Sequence, residues 1–328
     1  MEMRRRTRYS VLVVLSLFVL IAIAFVLRSY APPEVARLLP ESDAIIYVNF
    51  KPIRAATDME KHPVQPSPDF QKFIDATGIR VERDLDRAAF ALHRMENPNG
   101  PNGPVAYSEV MEGHFNAQRL SDWFAANAKS TEVYAGHTIY LIPMEGRSFR
   151  VTTLGYDMVA GSNMPTPEQI HSIIDRHAAS ASPFSGSSLL SARYHEVPLF
   201  SRSLAWGIGH VGLPFSENGK ITIAGVRLPL DAETDLIVSL SYRGSVHMRI
   251  EEIAPTEAVA VSTRDNLATL LNLMRGVMPY SVSTPEDKST HEFLNSLNVE
   301  QHGDRVIITA NIPTEFLERI SRPASTTP

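Results

Sequence analysis

From Val11 to Leu27 the chain is apolar at every position except Ser16, and 14 of these 17 residues are Leu, Ile, Val or Phe. At roughly −0.3 to −0.6 kcal/mol each near the bilayer centre, they contribute on the order of −4 to −8 kcal/mol to insertion. One Ser and two Ala do not offset that. Tyr9 and Tyr30 bracket the run 21 residues apart, which at about 1.5 Å per residue is roughly 31 Å, the depth of a hydrocarbon layer. Arg4, Arg5, Arg6 and Arg8 precede the run and Arg28 closes it. This distribution predicts a cytoplasmic N-terminus and a remainder on the far side of the membrane. Ala22-Ile23-Ala24 also has the small-x-small form of a signal-peptidase site. Phe25, Val26 and Leu27 prolong the apolar run past it, and Pro32 follows the next candidate, Ser29-Tyr30-Ala31. Both features argue for an uncleaved anchor, and either reading exports the same domain.

Beyond the anchor the charge reverses. Residues 31–328 carry 26 Lys and Arg against 35 Asp and Glu, a net of −9. A chain that neutralises many phosphates needs a clustered basic excess, so nucleic acid is not an expected partner. With 328 residues and 44% apolar content, the chain can bury one large core or two ordinary ones. Cysteine is absent, which excludes disulfides, thiolate metal sites, iron–sulfur clusters, cysteine nucleophiles and a lipidated cysteine.

The exported part alternates strand-like and helix-like segments after a Pro-containing neck (Pro32, Pro33, Pro40). Ala44 to Phe50, Val105 to Met111, His137 to Pro143, Arg150 to Leu154, Met158 to Gly161, Lys220 to Leu230, Asp235 to Tyr242, Ser245 to Ile253 and Arg305 to Ile312 have strand patterns. Helices are predicted after Ser67-Pro68-Asp69, after Asn116 and after Thr166-Pro167-Glu168-Gln169, where Thr caps and Pro takes the first position. Further helices are predicted over Asp265 to Met274, from the Ser289-Thr290-His291-Glu292 capping box and over Thr314 to Ile320. The turn dipeptides between Glu96 and Pro104 read as an exposed loop, and residues 180–188 as a Ser-rich linker. Leu189 to Trp206 stays ambiguous, a helical pattern broken near Pro198.

Residues 40–92 and 255–310 share a loose pattern of Pro, strand, helix and strand, with Val259 to Val261 as the second copy's first strand. Whether this is a duplication stays open. A single anchor followed by Leu39-Pro40-x-x-Asp43-Ala44 and a strand resembles uncharacterised bacterial single-anchor envelope proteins of a domain-of-unknown-function type. The resemblance carries no activity with it. The expected fold is α+β: an N-terminal transmembrane helix followed by mixed or antiparallel sheets with packed helices, in two halves that the loose pattern relates. The expected division is a cytoplasmic tip and anchor at 1–30, an α+β half at 31–180, a connection at 181–219, a second half at 220–320 and a tail at 321–328.

No residue set commits the chain to a chemistry. Gly207-Ile208-Gly209-His210-Val211-Gly212 has dinucleotide-binding spacing, but Pro214 follows and no helical pattern stands behind it. A Gly-rich strand or turn explains it better. His171 and His177 lie six apart and point to different sides of a helix. His195-Glu196 and His291-Glu292 have Leu199 and Asn295 where a second zinc-binding His is required. Gly-x-Ser-x-Gly is absent, and Ser185-Gly186-Ser187-Ser188 reads as a linker. Asp84 with Asp86, and Glu251 with Glu252, are ordinary acidic pairs, while Trp123, Phe124 and Tyr134 read as a core-facing aromatic stripe.

The expectation is therefore a single-pass, extracytoplasmic binding or scaffold protein of the bacterial envelope. Its partners are the membrane and an envelope protein or polymer, with no cofactor, no metal and no assigned catalytic residue. The alternatives are a hydrolase of envelope polymers whose residues assemble only in the fold, and an accessory subunit of a membrane complex. The full-length chain is expected in the membrane fraction and to need detergent for extraction. Recovery from the soluble fraction without detergent overturns the anchor.

Overall fold

The structure, a computed structural model, describes residues 31–57, 66, 68–100, 103–144, 147–180, 185–198, 204–210, 221–223, 226–228, 234–242, 244–277 and 285–313. They form an α+β fold built on one 12-stranded sheet in the order β13-β14-β12-β11-β8-β1-β2-β3-β7-β6-β5-β4. Its strands are β1 (Ala44–Asn49), β2 (Leu85–Arg94), β3 (Val105–Gly113), β4 (Ser130–Tyr134), β5 (His137–Met144), β6 (Arg147–Leu154), β7 (Met158–Ser162), β8 (Ala205–His210), β11 (Asp235–Tyr242), β12 (Val246–Ile253), β13 (Asn298–His302) and β14 (Arg305–Ile312). A separate hairpin pairs β9 (Ile221–Ile223) with β10 (Val226–Leu228).

This corrects the expected fold class. The described chain makes one continuous sheet, and each of its pairings is antiparallel. Among the described residues no helix is long and apolar enough to cross a membrane. The apolar run at 11–27, the tail at 321–328 and the helix expected at Thr314 to Ile320 lie outside the described residues.

The reason for one sheet is the pairing of β1 with β8. Ala44, Ile46 and Val48 stand opposite Gly209, Gly207 and Ala205, so the strand that ends the long connection zips onto the first strand and leaves no edge between halves. Reading outward, β2, β3 and β7 follow on one side and β11, β12 and β14 on the other. Each arm is a three-strand meander whose third strand receives a strand that returns from further on in the chain, β7 after a helix and β4 to β6, and β14 after two helices and β13. This equivalence is not the loose match of 40–92 with 255–310. Val259 to Val261, expected as a strand, lie inside the long helix α8 (Glu257–Val277). A β-branched run of that length suits either structure, and here it packs Val259 and Ala260 against the sheet.

Pairing register and strand alternation divide the sheet into two faces, since directly opposed residues share a face. On the first face, α1 (Glu34–Arg37), α6 (Glu168–Ala178) and α7 (Ser188–Arg193) cover the middle. Their Val35, Leu38, Leu39, Ile170, Ile173, Ile174, Leu189 and Leu190 meet Ile45, Tyr47, Ala89, Ala91, Trp206 and Ile208 of the sheet. On the second face, helices sit over the two ends. At one end α3 (Pro68–Thr77) and α5 (Ala117–Asn127) bring Phe73, Leu120, Trp123 and Phe124 onto Tyr140, Ile142, Phe149 and Val151. At the other, α8 and α9 (Pro285–Ser296) set Ala260, Leu267, Phe293 and Leu294 on Ile250, Ile308, Ala310 and Ile312. Two short helices, α2 (Phe50–Thr57) and α4 (Val81–Asp84), lie between β1 and β2.

Helix starts differ locally from the sequence rules. Asn116 caps α5 as expected, its Oδ1 accepting from the Arg119 N–H at 3.0 Å. Thr166 instead hydrogen-bonds the side chain of Glu168, and α9 begins at Pro285, ahead of the Ser289 capping box.

A Cβ built on Gly209 would stand 2.5 Å from the Ala44 Cβ and 3.0 Å from its Cα. Gly209→Ala is therefore expected to cost about 1–3 kcal/mol through overpacking, read as a lower urea midpoint. Ala44→Gly in the same chain is expected to restore part of the loss.

Candidate functional site

α6 is amphipathic. Its isoleucines face the core, and Glu168, His171, Ser172, Asp175, Arg176 and Ala179 line an open concavity of about 410 Å³ on the outer side. Three neighbours hold this polar stripe in place. From edge strand β4, Glu132 Oε1 lies 2.7 Å from His171 Nε2, the Tyr134 ring stacks on His171 at 3.7 Å and 5°, and the Tyr134 hydroxyl donates to Asp175 at 3.0 Å. That hydrogen bond raises the phenol above its ordinary value.

From the neck, Glu41 pairs with Arg176 at 2.9 Å and accepts from the Ser188 N–H at 2.8 Å and the Ser188 hydroxyl at 2.6 Å. Burial opposes the charge of Glu41, but the Ser188 hydrogen bonds and Arg176 outweigh it and hold the carboxyl below its ordinary value. The third neighbour is α7, whose first turn supplies Ser188. The stripe is thus a surface fixed in geometry by the sheet edge, the neck and α7.

A second polar group clamps the connection to the C-terminal arm. Arg305 forms a fork with Glu196 at 2.8 and 2.9 Å and reaches Glu251 at 2.7 Å, while Arg249 also meets Glu251 at 2.7 Å. The Arg305 hydrogen bonds hold Glu196 below its ordinary value, and Arg305 is raised in return. Asp235 receives Arg193 and His210. A third is a buried chain on the first face: His93 Nε2 to Ser108 Oγ at 3.0 Å, and Ser108 Oγ to Ser162 Oγ at 3.0 Å. Burial lowers the His93 imidazole, opposed by Asp43. Ser108 has no exposed surface, so this Ser–His contact serves packing and not attack on a substrate.

The residues singled out from sequence are dispersed. Gly207 to His210 lie in β8, a central strand, and Val211 and Gly212 lie outside the described residues. His171 sits on β4 partners, whereas His177 meets the edge of His137 at 6.3 Å. Glu196 belongs to the Arg305 clamp with His195 3.3 Å away, and His291 with Glu292 is in α9. Asp84 pairs with Arg83 at 2.7 Å, and Asp86 with Lys51 at 2.9 Å. Glu251 faces the clamp, while Glu252 lies under α8, accepting from Thr263 at 3.4 Å. Ser187 caps α7. Trp123 and Phe124 are in the α5 cluster, but Tyr134 belongs to the candidate site. Among the described residues no group of three or more His, Asp or Glu is placed to hold a metal ion.

Sequence reasoning passed over Glu109. It shares the second face of β3 with Tyr107 and Met111, and its strand neighbours are Phe90 and Gly161. Burial alone pushes its carboxyl up to about 7. The signal was available: a charged residue at an inward position of a strand.

The chain matches no protein-family model and no curated protein. Solved structures of TP0453 are similar to it in fold. Crystal form III has a TM-score of 0.50 at 12% identity over 87% of this chain and 96% of that one. Crystal forms IV and I each give 0.47, at 12% and 11% identity, over 87% of this chain and 95% of theirs. At such identity the likeness concerns the fold alone.

Because folded Glu109 titrates above the unfolded value of 4.5, its contribution is complete below about pH 4.5 and is lost as pH rises through about 7. Glu109→Gln is expected to be more stable than the parent at pH 8 by on the order of 2–3 kcal/mol and indistinguishable near pH 4, measured by urea unfolding at both pH values.

Proposed function

We propose that the chain is a membrane-anchored, extracytoplasmic binding or scaffold protein of the bacterial envelope, and that the outer stripe of α6 with edge strand β4 is its contact face. The observation that carries this reading is the state of the polar groups there. Glu132, His171, Asp175, Arg176 and Glu41 are each tied to a neighbour, so the stripe presents a fixed pattern of charge, and fixed groups lose little entropy on binding. The concavity is open and shallow enough to accept an extended polymer or a protein surface.

Placement at the membrane rests on the Arg-flanked run at 11–27 and the acid excess of the rest of the chain. Both are independent of the α6 geometry.

The test is site-specific photo-crosslinking of the full-length protein in its native membrane. A crosslinker at Ser172 is expected to trap a discrete partner that one at Leu273, on the opposite face, does not. Asp175→Ala, which frees Tyr134 and loosens β4, is expected to reduce that product about tenfold, the loss typical of a contact worth more than 1 kcal/mol. Equal trapping at both positions, or hydrolysis of envelope polymers by the purified chain, overturns the reading.

A further inference from the structure

One row of opposed residues crosses the second face through all 12 strands: Thr131, Tyr140, Val151, Gly161, Glu109, Phe90, Ile46, Gly207, Val238, Ile250, Ile308 and Val299. Glu109 is the one charged residue in it. Helices α3 and α5 cover one end of the row, and α8 and α9 the other. Between them lie β2, β1 and β8. Phe90, Leu92, Ile46 and Val48 point to this face from the first two, each partly exposed, and among the described residues none of these four joins a helix-covered cluster. Beside them, β8 offers only Ala205, Gly207 and Gly209. The result is an apolar trough with a floor of small residues.

Glu109 stands on one bank. Across from it Gly161 has no side chain, and the space a Cβ would take is filled by the Phe149 ring at 2.3 Å and the Glu109 Oε1 at 3.2 Å. The carboxyl therefore sits against rings and a bare backbone, with no hydrogen bond or ion pair among the described residues. Desolvation without a counter-charge is the unfavourable half of a binding site.

We propose that the trough binds a ligand with an aromatic or aliphatic body and a protonated amine, the body lying on Phe90, Ile46 and Leu92 and the ammonium donating to Glu109. An ammonium supplies both the missing charge and the missing donors, and in a weakly hydrated site such a hydrogen bond is stronger than a neutral one. A carboxylate ligand meets repulsion at the same point, and an alcohol supplies one donor without charge. This site is separate from the α6 face, and its failure leaves that reading standing.

The test is calorimetric titration of the full-length protein in nanodiscs of uncharged lipid with 2-phenylethylammonium, 2-phenylethanol and 3-phenylpropionate, each corrected for empty nanodiscs. The ammonium is expected to bind, the alcohol at least about tenfold more weakly, and the carboxylate not at all. Glu109→Gln is expected to lower ammonium affinity to that of the alcohol. In the parent, affinity is expected to rise between about pH 6 and pH 8 as Glu109 ionises, a dependence that a purely structural glutamate does not produce. Absence of ammonium binding, equal binding of the three probes, unchanged affinity in Glu109→Gln, or a flat pH profile each overturns the proposal.

Discussion

The antiparallel contact between β1 and β8 is the constraint on which the molecule depends. Without it the chain has two smaller sheets, each with a raw edge of unpaired N–H and C=O groups. With it, the five opposed pairs from Ala44–Gly209 to Val48–Ala205 bring the arms into register. Each backbone hydrogen bond is worth only about 0.5–1.5 kcal/mol net, so close approach matters as much as their number. That approach requires the missing side chain at Gly209, where a Cβ would stand 2.5 Å from that of Ala44. The connection that leads into β8 is then fastened from both ends. α7 buries Leu189 and Leu190 on the first face, and Arg193 and Glu196 hold Asp235 and Arg305 of the C-terminal arm.

Helix coverage follows from this joint. The first face is covered at its centre, where α1, α6 and α7 arrive from segments adjoining β1, β7 and β8. The second face is covered at its ends, because α5 follows the first arm's meander and is joined there by α3 from between β1 and β2, while α8 and α9 follow the meander of the other arm. Over β8 that face is floored by small residues, Ala205, Gly207 and Gly209, since bulk at 209 would collide with Ala44 of β1. A steric rule for joining two arms thus also shapes the trough.

How much of this was legible depends on the range of the interaction. Apolar, strand-like runs marked β3, β5, β6, β7, β11, β12 and β14, and the isoleucine spacing marked α6, because both signals are local. β4 was not legible: Ser130 to Tyr134 is an edge strand with an exposed, polar pattern that resembles a loop. Val259 to Val261 misled because β-branched residues also tolerate a buried helix. The continuity of the sheet was illegible for a different reason, since the partner of Ala44 lies at Gly209 and nothing local in either segment names the other. At the candidate site, the helical stripe of His171, Asp175 and Arg176 could be read from spacing, but its fastening by Glu132, Tyr134 and Glu41 could not. Tyr134 in particular was indistinguishable from a core aromatic.

The two arms offer an internal comparison for their inward carboxylates. Glu109 and Glu252 lie on β3 and β12, the third strand of each meander, and both point to the second face. Glu252 sits beneath α8, where the Thr263 hydroxyl donates to it. That donor comes from the helix whose packing buries the carboxylate. Glu109 lies where the helix layer of its own arm gives out, so burial comes from rings and strands that have no donor to offer. Natural sequences are locally consistent except where function overrides stability. The third strand of each meander therefore carries an inward carboxylate, one with a helix hydroxyl donating to its Oε1 and one bordering the trough, and the difference is set by how far the covering helix reaches. Among the described residues no helix hydroxyl reaches Glu109 as Thr263 reaches Glu252, so what sets Glu109 apart must be sought in the trough it borders.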